Sequence, residues 1–524
     1  MLESAKLTAA RLAALGVGPG DRIVVAVPTS FDWFDVWLGA IHLGALPVAT
    51  APGAAIGASQ VQLAKLIGVV GRLDAKLIVS TEGLAEKLRR EPAAETPALP
   101  ACVVPSQIAE TNPSTRFEPA RASPDDTAFL QLTSGSTGFP RAVQVTHGGA
   151  IHNAFALDAG VAAPHRKSST GFIDHWASWV PLYHDMGLIS NLTLMLKGVD
   201  LQLMPPEAFL GRPRLWLELL ASGGRTVATA PNFGYQQCVD RIKDSDLEKL
   251  DLSNWQVAFS AAEMIRPETV SAFIEKVGRS GFKPENYRPG YGLAEATLVV
   301  AIDDSGGPPR TLPVPQGTGG RTGGANLDLS EVFCLGSPVL DTRVRIAAPD
   351  GSTLSEGQVG EVWSKGPGTF VGYFNDPEAT AETLVDGWLR TGDLGFLDSG
   401  ELYLTGRLKD LLIIRGENLM PHELEWLAES LSGGGGLERA AAFSIARGVE
   451  GEEIILVLEV SRKDPGALEK LARDLRVAVG HEFGLIVADV VLVKRGQLPK
   501  TTSGKVQRGV IRDRYLAGAL QRLT

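Results

Sequence analysis

One segment constrains this chain more than any other: Phe129-Leu-Gln-Leu-Thr133-Ser134-Gly135-Ser136-Thr137-Gly138-Phe139-Pro140-Arg141. An apolar strand enters it, and Ala142-Val-Gln-Val-Thr146, which alternates like a second strand, leaves it. Gly135 and Gly138 let the backbone come close to a charged ligand. The hydroxyls of Thr133, Ser134, Ser136 and Thr137 join the backbone N–H groups as donors. The nucleotide loop GxxxxGK[ST] running into a helix is absent, so a kinase-type or GTPase reading loses its main support. The plain alternative is a Ser/Gly-rich hairpin turn.

Around this segment the first 300 residues alternate β-branched runs (22–27, 75–80, 257–260) with helical periods such as 33–43. That alternation predicts α/β layers with a largely parallel sheet. Residues 301–330 are rich in Gly and Pro and predict a surface excursion without a regular core element. Short strands at 342–346, 360–363, 401–404 and 411–414 then predict a β-rich subdomain. Beyond it, Pro421 opens a helix with Leu424, Leu427 and Leu431 on one face, followed by a strand at 453–460, a helix at 467–479 and a strand at 487–493. Gly433 to Gly436 predict a flexible tip. A chain of 524 residues is too long for one core. The expected organisation is a large unit over 1–405, a hinge at 406–410 and a small mobile α+β domain over 411–524.

Acidic residues outnumber basic ones by 60 to 50, a net charge of −10, which speaks against general nucleic-acid binding. Cys102, Cys238 and Cys334 form neither a disulfide framework nor a CxxC metal pair, so a reducing, cytoplasmic setting is expected. The N-terminus, with Leu2, Leu12 and Leu15, predicts an amphipathic helix rather than a secretory signal. The apolar stretch 38–55 contains His42, Pro47 and Pro52 and predicts helix, turn and strand, so no membrane span is expected.

Several further segments place chemistry-bearing side chains beside glycines. Pro289-Gly-Tyr291-Gly292-Leu293-Ala294-Glu295-Ala296-Thr297 follows a glycine-bounded turn and suits either a ligand site or an acidic helix N-terminus. Ser260-Ala-Ala262-Glu263 follows an apolar strand, and its glutamate also suits a solvated loop. Trp388-Leu-Arg390-Thr391-Gly392-Asp393 sets a carboxylate at a strand turn, where it could accept ribose hydroxyls or cap the turn. Gly406-Arg407-Leu408-Lys409-Asp410 suits a hinge or an ordinary charged turn. Pro499-Lys-Thr-Thr-Ser-Gly504-Lys505-Val-Gln-Arg508 suits a catalytic or a solvated basic loop.

Together with residues 179–188, these segments recur in the order of the signatures of the adenylate-forming superfamily, which the whole chain resembles. That superfamily includes acyl-CoA synthetases, luciferases, nonribosomal adenylation domains and fatty acyl-AMP ligases. One departure is Arg141, where many members carry lysine; arginine is bulkier and forked. The resemblance implies ATP as substrate and Mg²⁺ as its metal. It implies that residues 133–141 hold phosphates, Tyr291 lies against adenine, Thr297 approaches phosphate, and Ala262 and Glu263 flank the adenine. Glu295 would help hold Mg²⁺, a cation that prefers hard oxygen ligands shared with phosphates. Asp393 would hold the ribose, Arg407 would approach ribose or phosphate, and Lys409 would be the hinge pivot. Lys505 would bridge the carboxylate and the α-phosphate as acyl oxygen attacks phosphorus.

Within the superfamily, the Ser178-Trp179-Val-Pro-Leu-Tyr183-His184-Asp185-Met186-Gly-Leu188 segment has the pattern of acyl activators, with His184 near the carboxylate; a hydrogen-bonded core histidine is its plain alternative. With Ala230-Pro-Asn232-Phe233-Gly-Tyr235, Arg266-Pro-Glu-Thr and Lys409-Asp-Leu-Leu-Ile-Ile-Arg-Gly-Glu-Asn418, the chain most resembles fatty acyl-AMP ligases. Met186, Asn232 and Phe233 then belong to the acyl pocket. The resemblance implies acyl transfer to the phosphopantetheine of an acyl carrier protein, here a separate protein, with the 301–330 excursion placed to disfavour CoA. An acyl- or aryl-CoA ligase is the runner-up. A catalytically silent nucleotide-binding regulator is the third reading, and retention of Glu295, Asp393 and Lys505 counts against it.

Overall fold

The computed structural model describes residues 1–52, 60–90, 99–114, 117–133, 140–162, 173–315, 331–414, 417–432, 439–446, 452–461, 464–500 and 506–523. The fold is α/β. Leu77–Ser80 and Thr226–Ala230 are buried at every position, as strands covered on both faces must be. Among the described residues one sheet orders Ala101–Val103, Leu77–Ser80, Arg22–Ala26, Leu46–Ala49, Thr127–Leu132 and Ala142–Thr146. Its neighbours run parallel except the last pair, which is antiparallel and brackets the hydroxyl-rich segment. A second sheet orders Ser337–Pro338, Val299–Ile302, Tyr287–Gly292, Trp255–Ser260, Thr226–Ala230, His175–Ser178 and Asp200–Leu203. It is parallel from Tyr287–Gly292 onward.

Arg343–Ala347, Gly360–Lys365, Trp388–Asp398 and Glu401–Arg407 form the antiparallel β-rich part. Ala440–Ala446, Glu452–Val460 and Val487–Lys494 form the sheet that follows, against which Pro465–Phe483 packs. Hydrophobic burial divides in the same way. One buried cluster runs from Ala9 to Leu402, with Trp179 stacked on Phe209 at 3.9 Å near its middle. Another runs from Leu412 to Leu492. Among the described residues no helix is long and apolar enough to cross a membrane.

Several local expectations fail for identifiable reasons. Leu2–Ala14 is a helix, but Leu2 is 65% and Leu15 36% exposed, while Ala5, Thr8, Ala9 and Leu12 are buried. The small residues let it close on Phe31–Leu43: a Cβ at Gly39 would stand 3.0 Å from Thr8 Cγ2 and 3.1 Å from Ala5 O. In Pro421–Ser432, Leu424, Leu427, Ala428 and Ser432 are buried but Leu431 is exposed, because it faces away from the side on which Ser432 is covered.

The 301–330 stretch does hold core structure at its start. Ala301 and Ile302 extend a buried strand, and Thr311–Pro313 pairs with Glu331–Phe333. Every glycine and proline of the window falls at Gly306 or beyond, so the average over the window hid its apolar start. Residues 316–330, like the Gly433 to Gly436 tip, lie outside the described residues. Tyr291 and Asp393, expected beside turns, lie instead within Tyr287–Gly292 and Trp388–Asp398. Gly392, at φ +69°, kinks that strand without ending it.

Candidate active site

In open parallel sheets ligands bind beyond the carboxyl ends of the strands. Here the ends of Thr127–Leu132, Thr226–Ala230, Trp255–Ser260 and Tyr287–Gly292 deliver Thr133, Asn232, Ala262 and Gly292 to one cleft of about 1450 Å³. Residues from the C-terminal part, including Trp426, Glu429 and Arg508, line its other side. Arg141, His184, Met186, Phe233, Glu263, Tyr291, Leu293, Ala294, Glu295, Asp393, Arg407 and Lys409 line the same space. Ser134, Gly135, Ser136, Thr137, Gly138 and Lys505 lie outside the described residues. Their neighbours Thr133, Pro140 and Val506 line the cleft.

Two tyrosine–carboxylate pairs frame it. Tyr291 Oη donates to Asp393 Oδ2 at 2.6 Å, and Arg407 Nε donates to Asp393 Oδ1 at 2.8 Å. Asp393 is 4% exposed, so its charge is sustained by these two donors rather than by water. Burial first, then the neighbouring Asp393 charge, holds the Tyr291 phenol well above its ordinary pKa, so it remains a donor.

In the second pair Tyr373 Oη donates to Glu295 Oε1 at 2.7 Å. Burial pushes the Glu295 carboxyl up, opposed by that hydrogen bond. Tyr373 is fixed by a bridge to Val143, on the strand leaving the hydroxyl-rich segment, and carries the Arg141 guanidinium 5.2 Å above its ring. Arg141 Nε lies 3.6 Å from Asp376 Oδ2, a half-exposed pair of little energetic weight. Among the described residues no group of three or more His, Cys, Asp or Glu is arranged to hold a metal. One carboxylate at the cleft fits Mg²⁺, which takes its remaining ligands from phosphate oxygens and water.

Thr297 is the described candidate that does not line the cleft. It is 2% exposed, and its hydroxyl donates to Gly368 O at 2.7 Å. Its φ of +68° is unusual for a β-branched residue and turns the side chain behind the Glu295 segment. Ala262 also has positive φ, +74°, in the turn after Trp255–Ser260.

The apolar wall comprises Met186, which is buried, and Phe233, set edge-on to Trp179 at 5.5 Å. Phe233 N–H donates to Glu263 Oε1 at 2.6 Å, and Asn232 Oδ1 accepts the Arg266 N–H at 3.1 Å, so both polar side chains brace the wall. His184 begins the helix Asp185–Leu196, its Nδ1 2.6 Å from Asp185 Oδ1. Gln131, buried on the first sheet, holds this segment through the Tyr183 carbonyl at 3.0 Å. Sequence reasoning missed Tyr373, Asp376 and Gln131. Only Gln131 had a signal, its place in the entering strand; Tyr373 is 78 residues from Glu295, and no local spacing ties the two.

The family model described as AMP-binding enzyme matches residues 1–374. The long-chain-fatty-acid–AMP ligase FadD26 of Mycobacterium tuberculosis is 34% identical over 96% of this chain and 89% of its own length. The medium-chain-fatty-acid–[acyl-carrier-protein] ligase TtuA of Teredinibacter turnerae is 34% identical over 79% of this chain and 67% of its own. A solved fatty acyl-adenylate ligase, from work on the E. coli and L. pneumophila enzymes, superposes with a TM-score of 0.86 at 30% identity, covering 98% of this chain and 91% of that one. Similarity of this extent, over a cleft lined by the motif residues, makes the chain a member of the AMP-binding enzyme family and an adenylate-forming ligase of the fatty acyl-AMP ligase type.

Proposed function

We propose that this chain activates a fatty acid with ATP, forming acyl-adenylate and pyrophosphate, and passes the acyl group to the phosphopantetheine thiol of a separate acyl carrier protein. The observation that carries the reading is the sharing of one cleft by a carboxylate with two donors at Asp393, a second carboxylate at Glu295, and an apolar wall at Met186 and Phe233. TtuA, by its name an acyl-carrier-protein ligase, supports the second step.

In the first step a carboxylate oxygen of the acid bonds to the α-phosphorus, the bond from that phosphorus to the bridging oxygen breaks, and pyrophosphate leaves. Asp393 holds the ribose hydroxyls, and Tyr291 both flanks the base and fixes Asp393. Arg141 and the hydroxyl-rich segment hold phosphate oxygens. Glu295 would hold Mg²⁺, which when bound would supply positive charge to offset that of the departing phosphates. His184 lies beside the acyl carboxylate, and Lys505 stabilises the charge shared by carboxylate and phosphate in the transition state. The unit 411–524 then turns about Lys409 relative to 1–405. The thiol attacks the acyl carbonyl, the bond to AMP breaks, and the thiol proton passes to solvent.

The test is product analysis after incubation with ATP, Mg²⁺, fatty acids of graded length, CoA and a pantetheinylated carrier. Acid-dependent AMP and pyrophosphate are expected, with the carrier acylated at least about tenfold faster than CoA at matched concentration, roughly 1.4 kcal/mol in barrier. Release of ADP alone refutes the adenylation step, and efficient acyl-CoA formation moves the assignment to an acyl-CoA ligase.

A further inference from the structure

We infer that Arg266 is a positioning residue for acyl-adenylate formation, holding the C-terminal unit over the cleft through Glu429 and Trp426. This rests on the adenylation reading above. Arg266 immediately precedes the helix Pro267–Gly278, and its backbone N–H is fixed by Asn232 Oδ1 at 3.1 Å in the acyl wall. Its side chain reaches a part of the chain 163 residues away, where Nη1 meets Glu429 Oε2 at 2.6 Å. The guanidinium also sits 5.0 Å above the Trp426 ring.

This contact differs from a surface ion pair. The Glu429 side chain is 7% exposed and that of Arg266 26%, so both charges are largely withdrawn from water. Glu429 is held in place from its own side, because Oε1 accepts the Ala440 N–H at 2.9 Å. Arg266 therefore docks into an acceptor already fixed on the helix Pro421–Ser432. That helix also carries Glu425, whose two oxygens take Arg508 Nε at 2.6 Å and Nη2 at 2.7 Å. Arg508 begins the helix Arg508–Leu516 and lines the cleft, so the grip of Arg266 on Glu429 is relayed through Pro421–Ser432 to Arg508. Rotation about Lys409 must break the contact, so weakening it penalises the first half-reaction and not the second.

The experiment uses the full chain with Arg266→Gln, Arg266→Lys, Glu429→Gln and the Arg266→Gln/Glu429→Gln double variant. Acid-dependent pyrophosphate release should fall about tenfold or more in both glutamine variants. The double variant should be no worse than the poorer single, because one interaction is being removed twice. Arg266→Lys should recover part of the loss through its charge. Acyl transfer from supplied acyl-adenylate should stay within about twofold of the parent, and small-angle scattering of the unliganded Arg266→Gln chain should show a more extended particle. Equal loss in both half-reactions, additive losses in the double variant, or parental rates with unchanged scattering would each overturn the inference. If the parent itself releases no acid-dependent pyrophosphate, the adenylation reading fails. Scattering then decides the contact alone: expansion supports it and no change overturns it.

Discussion

Asp393→Asn is the sharpest test of the nucleoside end of the cleft. The carboxylate is 4% exposed and receives two donors, the Tyr291 hydroxyl at 2.6 Å and Arg407 Nε at 2.8 Å. An amide offers one acceptor oxygen and one donor nitrogen. Guanidinium cannot accept, so the amide oxygen must turn to Arg407 and the NH₂ to Tyr291, whose hydroxyl must rotate to accept it. The Arg407 side chain is 59% exposed, which discounts its share for solvent screening. The larger loss is the buried hydrogen bond from tyrosine to a charged acceptor, about 1.5–3 kcal/mol. In the proposed mechanism ribose hydroxyls donate to the same group and would lose its charge as well. A total of about 2–3 kcal/mol lowers kcat/KM for ATP roughly 30- to 150-fold in acid-dependent pyrophosphate exchange. Tyr291→Phe, which keeps the charge and deletes one donor, should cost about tenfold, the low end of that range, because Arg407 still pairs with the carboxylate. A rate for Asp393→Asn within about threefold of the parent, or a heavier loss in Tyr291→Phe, would refute the argument.

Glu295→Gln should raise the Mg²⁺ concentration needed for half-maximal pyrophosphate release and lower the saturated rate about a hundredfold, whereas an unchanged Mg²⁺ titration would remove Glu295 from the metal's shell. Glu423 supplies a pH test in the C-terminal part. Burial raises its pKa from 4.5 to about 8, so the folded chain binds more protons than the unfolded chain between those values and loses stability as pH rises through them. Glu423→Gln preserves an acceptor for the Met420 N–H and should stabilise the chain at pH 8 by on the order of 1 kcal/mol or more while changing little at pH 5; equal melting shifts at both would count against it.

How much of this was legible in the sequence depended on the range of each interaction. The parallel-sheet layers were readable because buried strands such as Thr226–Ala230 carry their own composition, and the chemistry-bearing segments were readable because each is short and begins near a strand end. Local reading failed where a neighbour decides the outcome. Hydrophobicity favoured Leu2 and Leu15 over Ala5 and Thr8, although the close approach of Gly39 selects the small residues. Thr297 belongs to its motif in sequence, yet one positive φ takes it out of the cleft lining. The pairings at the site lie further from local pattern. Tyr291 finds Asp393 across 102 residues, Tyr373 finds Glu295 across 78, and Arg266 finds Glu429 across 163. Tyr291 and Asp393 lie in different sheets, Tyr373 bridges to the first sheet while Glu295 follows a strand of the second, and Arg266 and Glu429 sit on separate helices, so their meeting is set by how whole layers pack. A change that shifts one layer by a few tenths of an ångström therefore reaches Asp393 or Glu295 without touching a motif residue. The aim of the two cleft carboxylates is therefore a property of inter-layer packing, and substitutions behind Tyr291 or Tyr373 should alter nucleotide affinity before they alter the fold.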